Sequence, residues 1–179
     1  EMIASVPPGA KGLLLHPYFA SAATPRWNSS ARGTITGFTF AHDRACLARC
    51  FMEGITLEIR DLMNALFDSG LEISTIRILG GPTKSSLWNQ MQADIYNRKV
   101  ETLINSDAAI LGAAISAGVG VGVFKDFKDG VSQMVKVGKV YTPNQENVKV
   151  YDDLYAIYCK MYEGLDEKGV YEALAEFQK

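Results

Sequence analysis

A chain of 179 residues, 47% of them hydrophobic, is long enough for one domain with a genuine core. Its formal charge of −2 provides no basic field, which removes nucleic acid and anionic membrane surfaces as implied partners. No apolar run approaches the roughly 20 residues needed to span a bilayer, and the first residues lack the pattern of a signal peptide, so the chain reads as cytoplasmic.

Three cysteines suit that reducing compartment better than an oxidising one. Cys46 and Cys50 stand four apart, but no Cys-x-x-Cys exists to complete a metal site, so both are expected in the core. In chain order, Val6-Pro7-Pro8-Gly9-Ala10-Lys11-Gly12 is a turn-rich entry, and residues 12–18 form a short apolar run ended by Pro17. Residues 20–28 read as an irregular loop, with Trp27 expected to anchor it to the core. Residues 33–40 alternate weakly and suggest an extended segment. From 42 to 67, Leu47, Phe51, Ile55, Ile59, Leu62 and Leu66 recur at three- and four-residue intervals. That spacing predicts one apolar stripe on a helix of about 25 residues, roughly 38 Å long. Arg49 and Glu53 lie four apart on it and read as an ion pair on a partly exposed face. Gly70 is placed for a left-handed cap after that helix.

The central stretch is the most informative. Ile76-Arg77-Ile78-Leu79 is a short alternating run that predicts a strand, and Leu87, Met91 and Ile95 predict a helix. Gly80 and Gly81 sit at the turn between them, with Thr83 or Ser85 as the helix N-cap. Such a strand–turn–helix cradles anions when backbone approaches a ligand closely, and is otherwise a plain tight turn. Residues 99–104 predict a second strand, parallel to the first by the right-handed crossover rule. Residues 108–118 are small and apolar throughout, which predicts a buried helix. The glycines from Gly118 to Gly122 mimic a dinucleotide fingerprint but close a helix instead of opening one, so they fail its context. Residues 125–138 read as a short surface helix and a turn, and 141–144 as a loop. A helix over 147–163 carries Val150, Leu154, Tyr158 and Met161 on one face, with Asp153 and Lys160 solvated, and a short amphipathic helix over about 167–177 ends the chain.

The segment Gly80-Gly81-Pro82-Thr83-Lys84-Ser85-Ser86-Leu87-Trp88-Asn89, continuing to Ile95, resembles the adenosine-binding segment of the FGGY carbohydrate kinases. Its Lys84-Ser85-x-x-Trp88 form is most similar to the xylulokinase branch. Two further segments resemble the family in its own order, residues 31–40 continuing through 47–54, and residues 107–118, so that the resemblance covers about 7–124. One departure stands out: many members have Gly-Glu-Arg before the Thr24-Pro25 pair, where this chain has no charge.

The resemblance implies an α/β fold, a partial actin-like or ribonuclease-H-like domain whose short mixed sheet is packed with helices, with a helical C-terminal end. It implies that residues 1–179 form a single domain, most of the nucleotide-side C-terminal domain, with the N-terminal sugar-binding and catalytic domain absent. The implied function is the ATP-binding half of a sugar kinase that moves the γ-phosphoryl of ATP, with Mg2+, to a hydroxyl of a small sugar, a ketopentose such as xylulose. The family's catalytic aspartate and phosphate loops have no match here, so no catalytic or metal residue is assigned and the chain alone is expected to be inactive. Carried over position by position, nucleotide binding falls to Gly81 and Ser85, with Gly80 shaping the turn, Lys84 and Asn89 near the ribose or phosphates, and Asp107 capping its helix or holding the purine pocket. The expected partners are ATP or ADP and a sugar held mainly by the missing domain. An open sheet edge left by absent leading strands further predicts a homo-oligomer. The alternative is a stand-alone nucleotide-binding or assembly module on the same fold.

Overall fold

The computed structural model describes residues 2–178. In chain order its elements are β1 (Leu14–His16), β2 (Thr34–Thr36), α1 (Arg44–Asp68), β3 (Thr75–Ile78), α2 (Ser86–Tyr96), β4 (Lys99–Leu103), α3 (Ala108–Gly120), α4 (Phe127–Met134), β5 (Val137–Tyr141), α5 (Gln145–Glu167) and α6 (Val170–Glu176). They fall into two compact units, one holding residues up to 72, 94–96 and from 144 onward, the other residues 73–93 and 97–143. The class is the expected mixed α/β with short sheets.

In the first unit, β1 pairs antiparallel with β2, Leu15 opposite Ile35. Leu13, Leu14 and Leu15 are all buried, which explains their unbroken apolar run. Gly54 lets α1 lie directly on β1: a Cβ there would stand 2.6 Å from the Leu15 carbonyl oxygen. α1 begins at Asp43, whose carboxylate accepts from the Cys46 N–H at 2.9 Å. It ends in a Schellman cap, with Gly70 at φ +89° donating to the Phe67 carbonyl at 2.9 Å and Leu71 donating to Leu66 at 3.3 Å.

The buried face of α1 is not the predicted stripe. Cys46, Arg49, Cys50, Glu53, Leu57 and Asp61 point inward, while Ile59, Leu62 and Leu66 are 37–42% exposed. The reason is hydrogen bonding. Glu53 Oε1 accepts from Arg49 Nε at 2.6 Å, Gly9 N at 3.0 Å and Tyr151 Oη at 2.9 Å. Arg49 also donates to the Val6 carbonyl at 2.7 Å and to Tyr151 Oη at 2.9 Å. Further along, Tyr155 Oη donates to Asp61 Oδ1 at 2.5 Å, and Arg26 lies 3.1 Å from Asp61 Oδ2. The Arg49–Glu53 pair is therefore buried, where a half-exposed pair was expected. Polar groups held by hydrogen bonds and ion pairs tolerate burial, and hydrophobic spacing alone does not register that.

α5 supplies the opposite wall. Val148, Tyr151, Leu154, Tyr158 and Tyr162 are buried, and Val150, placed on that face by its spacing, is 41% exposed. Its start is held by Asp94, which accepts from Asn144 N and Asn147 Nδ2, each at 2.8 Å. The His16 ring sits edge-on to Tyr158 with centroids 4.2 Å apart and stacks on Tyr18 at 5.1 Å. The loop over 20–28 is anchored by Asn28, not by Trp27. Asn28 Nδ2 donates to Tyr162 Oη at 3.1 Å and to Asp166 at 2.6 Å, whereas Trp27 is 78% exposed at φ +49°.

The second unit is built on a sheet of order β3-β4-β5. β3 and β4 run parallel as expected, Thr75 opposite Lys99 and Ile78 opposite Thr102. β5 was not foreseen. It pairs antiparallel to β4 across an irregularity between Glu101 and Leu103. There the Thr102 hydroxyl enters the ladder, accepting from Lys139 N at 3.1 Å. Four of the five β5 residues are exposed, so no alternating apolar face marked the strand. α3 also departs from expectation: it buries only Leu111, Ile115 and Gly118, against Leu103, Met134, Val135 and the Phe124 ring. Its remaining small and apolar surface is exposed, because within this unit neighbours cover one stripe of it.

Candidate functional site

The end of β3 and the start of α3 come together in the second unit. Gly80 N–H donates to the Ser106 carbonyl at 3.1 Å, tying the glycine turn to the residue before the α3 cap. Gly80 has φ +84° and ψ −165°, a conformation essentially restricted to glycine. From there Gly81–Lys84 make one 3-10 turn, with Thr83 N–H and Thr83 Oγ1 both donating to the Gly80 carbonyl, at 3.2 and 2.6 Å. The turn leads into α2, whose first N–H groups meet Ser85: its hydroxyl accepts from Trp88 N at 3.2 Å. Ser85, rather than Thr83, is therefore the side-chain cap.

Between these pieces lies an open cleft of about 490 Å3, lined by Leu79, Gly80, Gly81, Lys84, Ser106, Asp107, Ala108 and Ala109. A Cβ on Gly81 would have no atom within 4 Å, so the missing side chain leaves the backbone bare toward open space. The lining combines one cation, Lys84, one carboxylate, Asp107, and small apolar surface from Ala108 and Ala109. Asp107 Oδ1 accepts from Ile110 N at 3.2 Å, the N-cap bond of α3, and Asp107 N donates to Asn105 at 3.1 Å. The cleft presents bare peptide, a flexible ammonium and the positive end of a helix of 13 residues.

Of the six residues singled out by sequence, Gly80, Gly81, Lys84 and Asp107 line the cleft. Ser85 is engaged as a helix cap, and Asn89 lies beneath the turn, fully buried, with Nδ2 donating to the Thr83 carbonyl at 2.9 Å and to Tyr141 Oη at 3.3 Å. Hydrogen bonds from Asn89 and Ser86 draw the Tyr141 hydroxyl below its ordinary range. Sequence reasoning missed Ser106 and Tyr141. Ser106 acts through its carbonyl, which no side-chain motif reports, and Tyr141 stands on the unrecognised strand. Among the described residues no group of three or more His, Cys, Asp or Glu side chains gathers to hold a metal ion, and no helix is long and apolar enough to cross a membrane.

Residues 1–121 match the C-terminal domain of the FGGY family of carbohydrate kinases. A xylulose kinase of Staphylococcus epidermidis is 37% identical over 162 residues, 90% of this chain and 33% of that protein. One from Bacillus subtilis is 34% identical over 177 residues, 99% of this chain and 35% of that protein. The crystal structure of ligand-bound xylulose kinase from Lactobacillus acidophilus superposes with a TM-score of 0.82 at 28% identity, covering 92% of this chain and 34% of its own. The chain thus spans about a third of the length of the relatives it matches.

Proposed function

Because the chain belongs to the FGGY family of carbohydrate kinases, we propose that residues 1–179 are the nucleotide-binding part of a cytoplasmic sugar kinase that phosphorylates a hydroxyl of a ketopentose such as xylulose. The observation that carries the nucleotide reading is the Gly80–Gly81 turn, with its bare backbone beside Lys84 and the N-terminus of α3. Peptide N–H groups, a lysine and a helix start favour phosphate oxygens, and the alanine surface at Ala108 and Ala109 suits the face of a base or sugar. The names of the relatives support the sugar, and three free thiols support the compartment.

On this reading these residues position and hold the nucleotide, and Asp107 stays a helix cap. Phosphoryl transfer further requires a base for the acceptor hydroxyl and metal-assisted neutralisation of the phosphates. The one cleft carboxylate is already bonded to the α3 backbone and the described residues gather no metal cluster, so the magnesium of such kinases is assigned to no residue here.

Calorimetric titration with ADP tests the proposal. The chain is expected to bind, and Gly81→Val, which puts a branched side chain into the open cleft, is expected to weaken binding at least about tenfold while leaving the fold intact. No heat with the parent chain would remove the nucleotide reading.

A further inference from the structure

We propose that Asn89 is a positioning residue for the nucleotide, holding the Gly80–Lys84 turn from below through the Thr83 carbonyl. The inference rests on the nucleotide reading and adds a residue that never touches the ligand. Asn89 is 0% exposed and is absent from the cleft lining. Its Nδ2 donates to the Thr83 carbonyl at 2.9 Å, and Thr83 in turn donates to the Gly80 carbonyl through both its N–H and its hydroxyl. One buried amide is therefore two hydrogen bonds away from the glycine that shapes the cleft floor. A carbonyl only accepts, so the side chain must present its NH2 group to Thr83, and this fixes the amide's orientation.

The amide is itself held from two further sides. Its backbone N–H donates to the Ser85 carbonyl at 3.0 Å, and the Tyr141 hydroxyl of β5 stands 3.3 Å from Nδ2. Its Oδ1 is buried without a hydrogen-bond partner, so the donor end carries the contact. Without it, the Thr83 carbonyl loses its partner from Asn89, and the 3-10 turn, closed by its own bonds at 3.0–3.2 Å, is freed to move. A turn that must present its backbone to a ligand is useful only while it is held still.

The test compares two substitutions of equal size. Asn89→Leu fills the space with no donor and also removes the unpartnered Oδ1; Asn89→Asp keeps shape and acceptor but has no NH2. Both are expected to weaken ADP binding about tenfold by calorimetry and to raise amide hydrogen exchange at Thr83 and Ser85. The melting temperature of Asn89→Leu is expected to stay within a few degrees of the parent, which separates positioning from general destabilisation. Parent-like ADP affinity in either folded variant overturns the inference, whether or not exchange has risen. A parent chain that binds no ADP overturns the nucleotide reading itself, and if one variant fails to fold the other decides.

Discussion

His16 shows what a single side chain can impose. Its ring is fully buried among Tyr18, Tyr158, Tyr162 and Tyr171; one ring nitrogen is 3.0 Å from the Tyr158 carbonyl and the other 3.3 Å from the Tyr171 hydroxyl. The carbonyl can only accept, so Nε2 carries the proton and Nδ1 accepts from Tyr171. Burial first, opposed by the Tyr158 hydrogen bond, lowers the imidazole to about 4 from its ordinary 6.5. Between those values the unfolded chain binds the proton that the folded chain refuses. Stability is therefore full above pH 6.5 and falls as pH drops toward 4, by about 3 kcal/mol for this group. Burial raises the Glu53 and Glu58 carboxyls, which contributes with the opposite sign, so the comparison must be made against a His16 variant. Thermal melts from pH 7 to pH 4.5 are expected to show a shallower acid loss in His16→Gln than in the parent. Equal slopes would contradict the assignment.

At the level of whole elements, α1 separates what spacing reveals from what it conceals. Its existence, length and glycine stop were legible because periodicity and Gly70 both act locally. Its inward face was not, because Arg49, Glu53 and Asp61 are buried through partners a hundred residues away on α5. Leu57, which is 0% exposed, and Leu62, at 37%, decide the matter. Leu57→Ala is expected to cost about 2–5 kcal/mol in urea denaturation, and Leu62→Gln about 0.5 kcal/mol or less. Equal costs would restore the stripe expected from spacing. The cleft divides in the same way. Gly80, Gly81, Lys84 and Asp107 were readable because strand, turn and cap chemistry is local. The support beneath them was not, since it runs through Tyr141 on a strand with exposed faces and a glycine, Gly138, where an added Cβ would stand 3.3 Å from the Leu103 carbonyl carbon.

For the molecule as a whole, the proposal that these residues hold nucleotide and supply no base predicts that the purified 179-residue chain does not phosphorylate xylulose. A coupled assay for ADP release checks this, and sugar-dependent turnover would refute it. Among the described strands β3 pairs with β4 alone, leaving its other edge open, and most of the α3 surface is exposed. Unpaired edges of this kind recruit further strands. Sedimentation velocity is expected to show concentration-dependent self-association, and a clean monomer throughout would count against it. The Glu53 network has a last consequence, one that concerns inheritance. Arg49, Glu53 and Tyr151 share hydrogen bonds in a buried site, so losing one charged partner leaves the other buried and uncompensated, at about 3–5 kcal/mol. Most single changes at these three positions thus lead through a poorly folded intermediate, whereas a joint replacement by apolar residues of similar volume leaves no charge buried and uncompensated. Descendants of this sequence should keep all three or exchange them together.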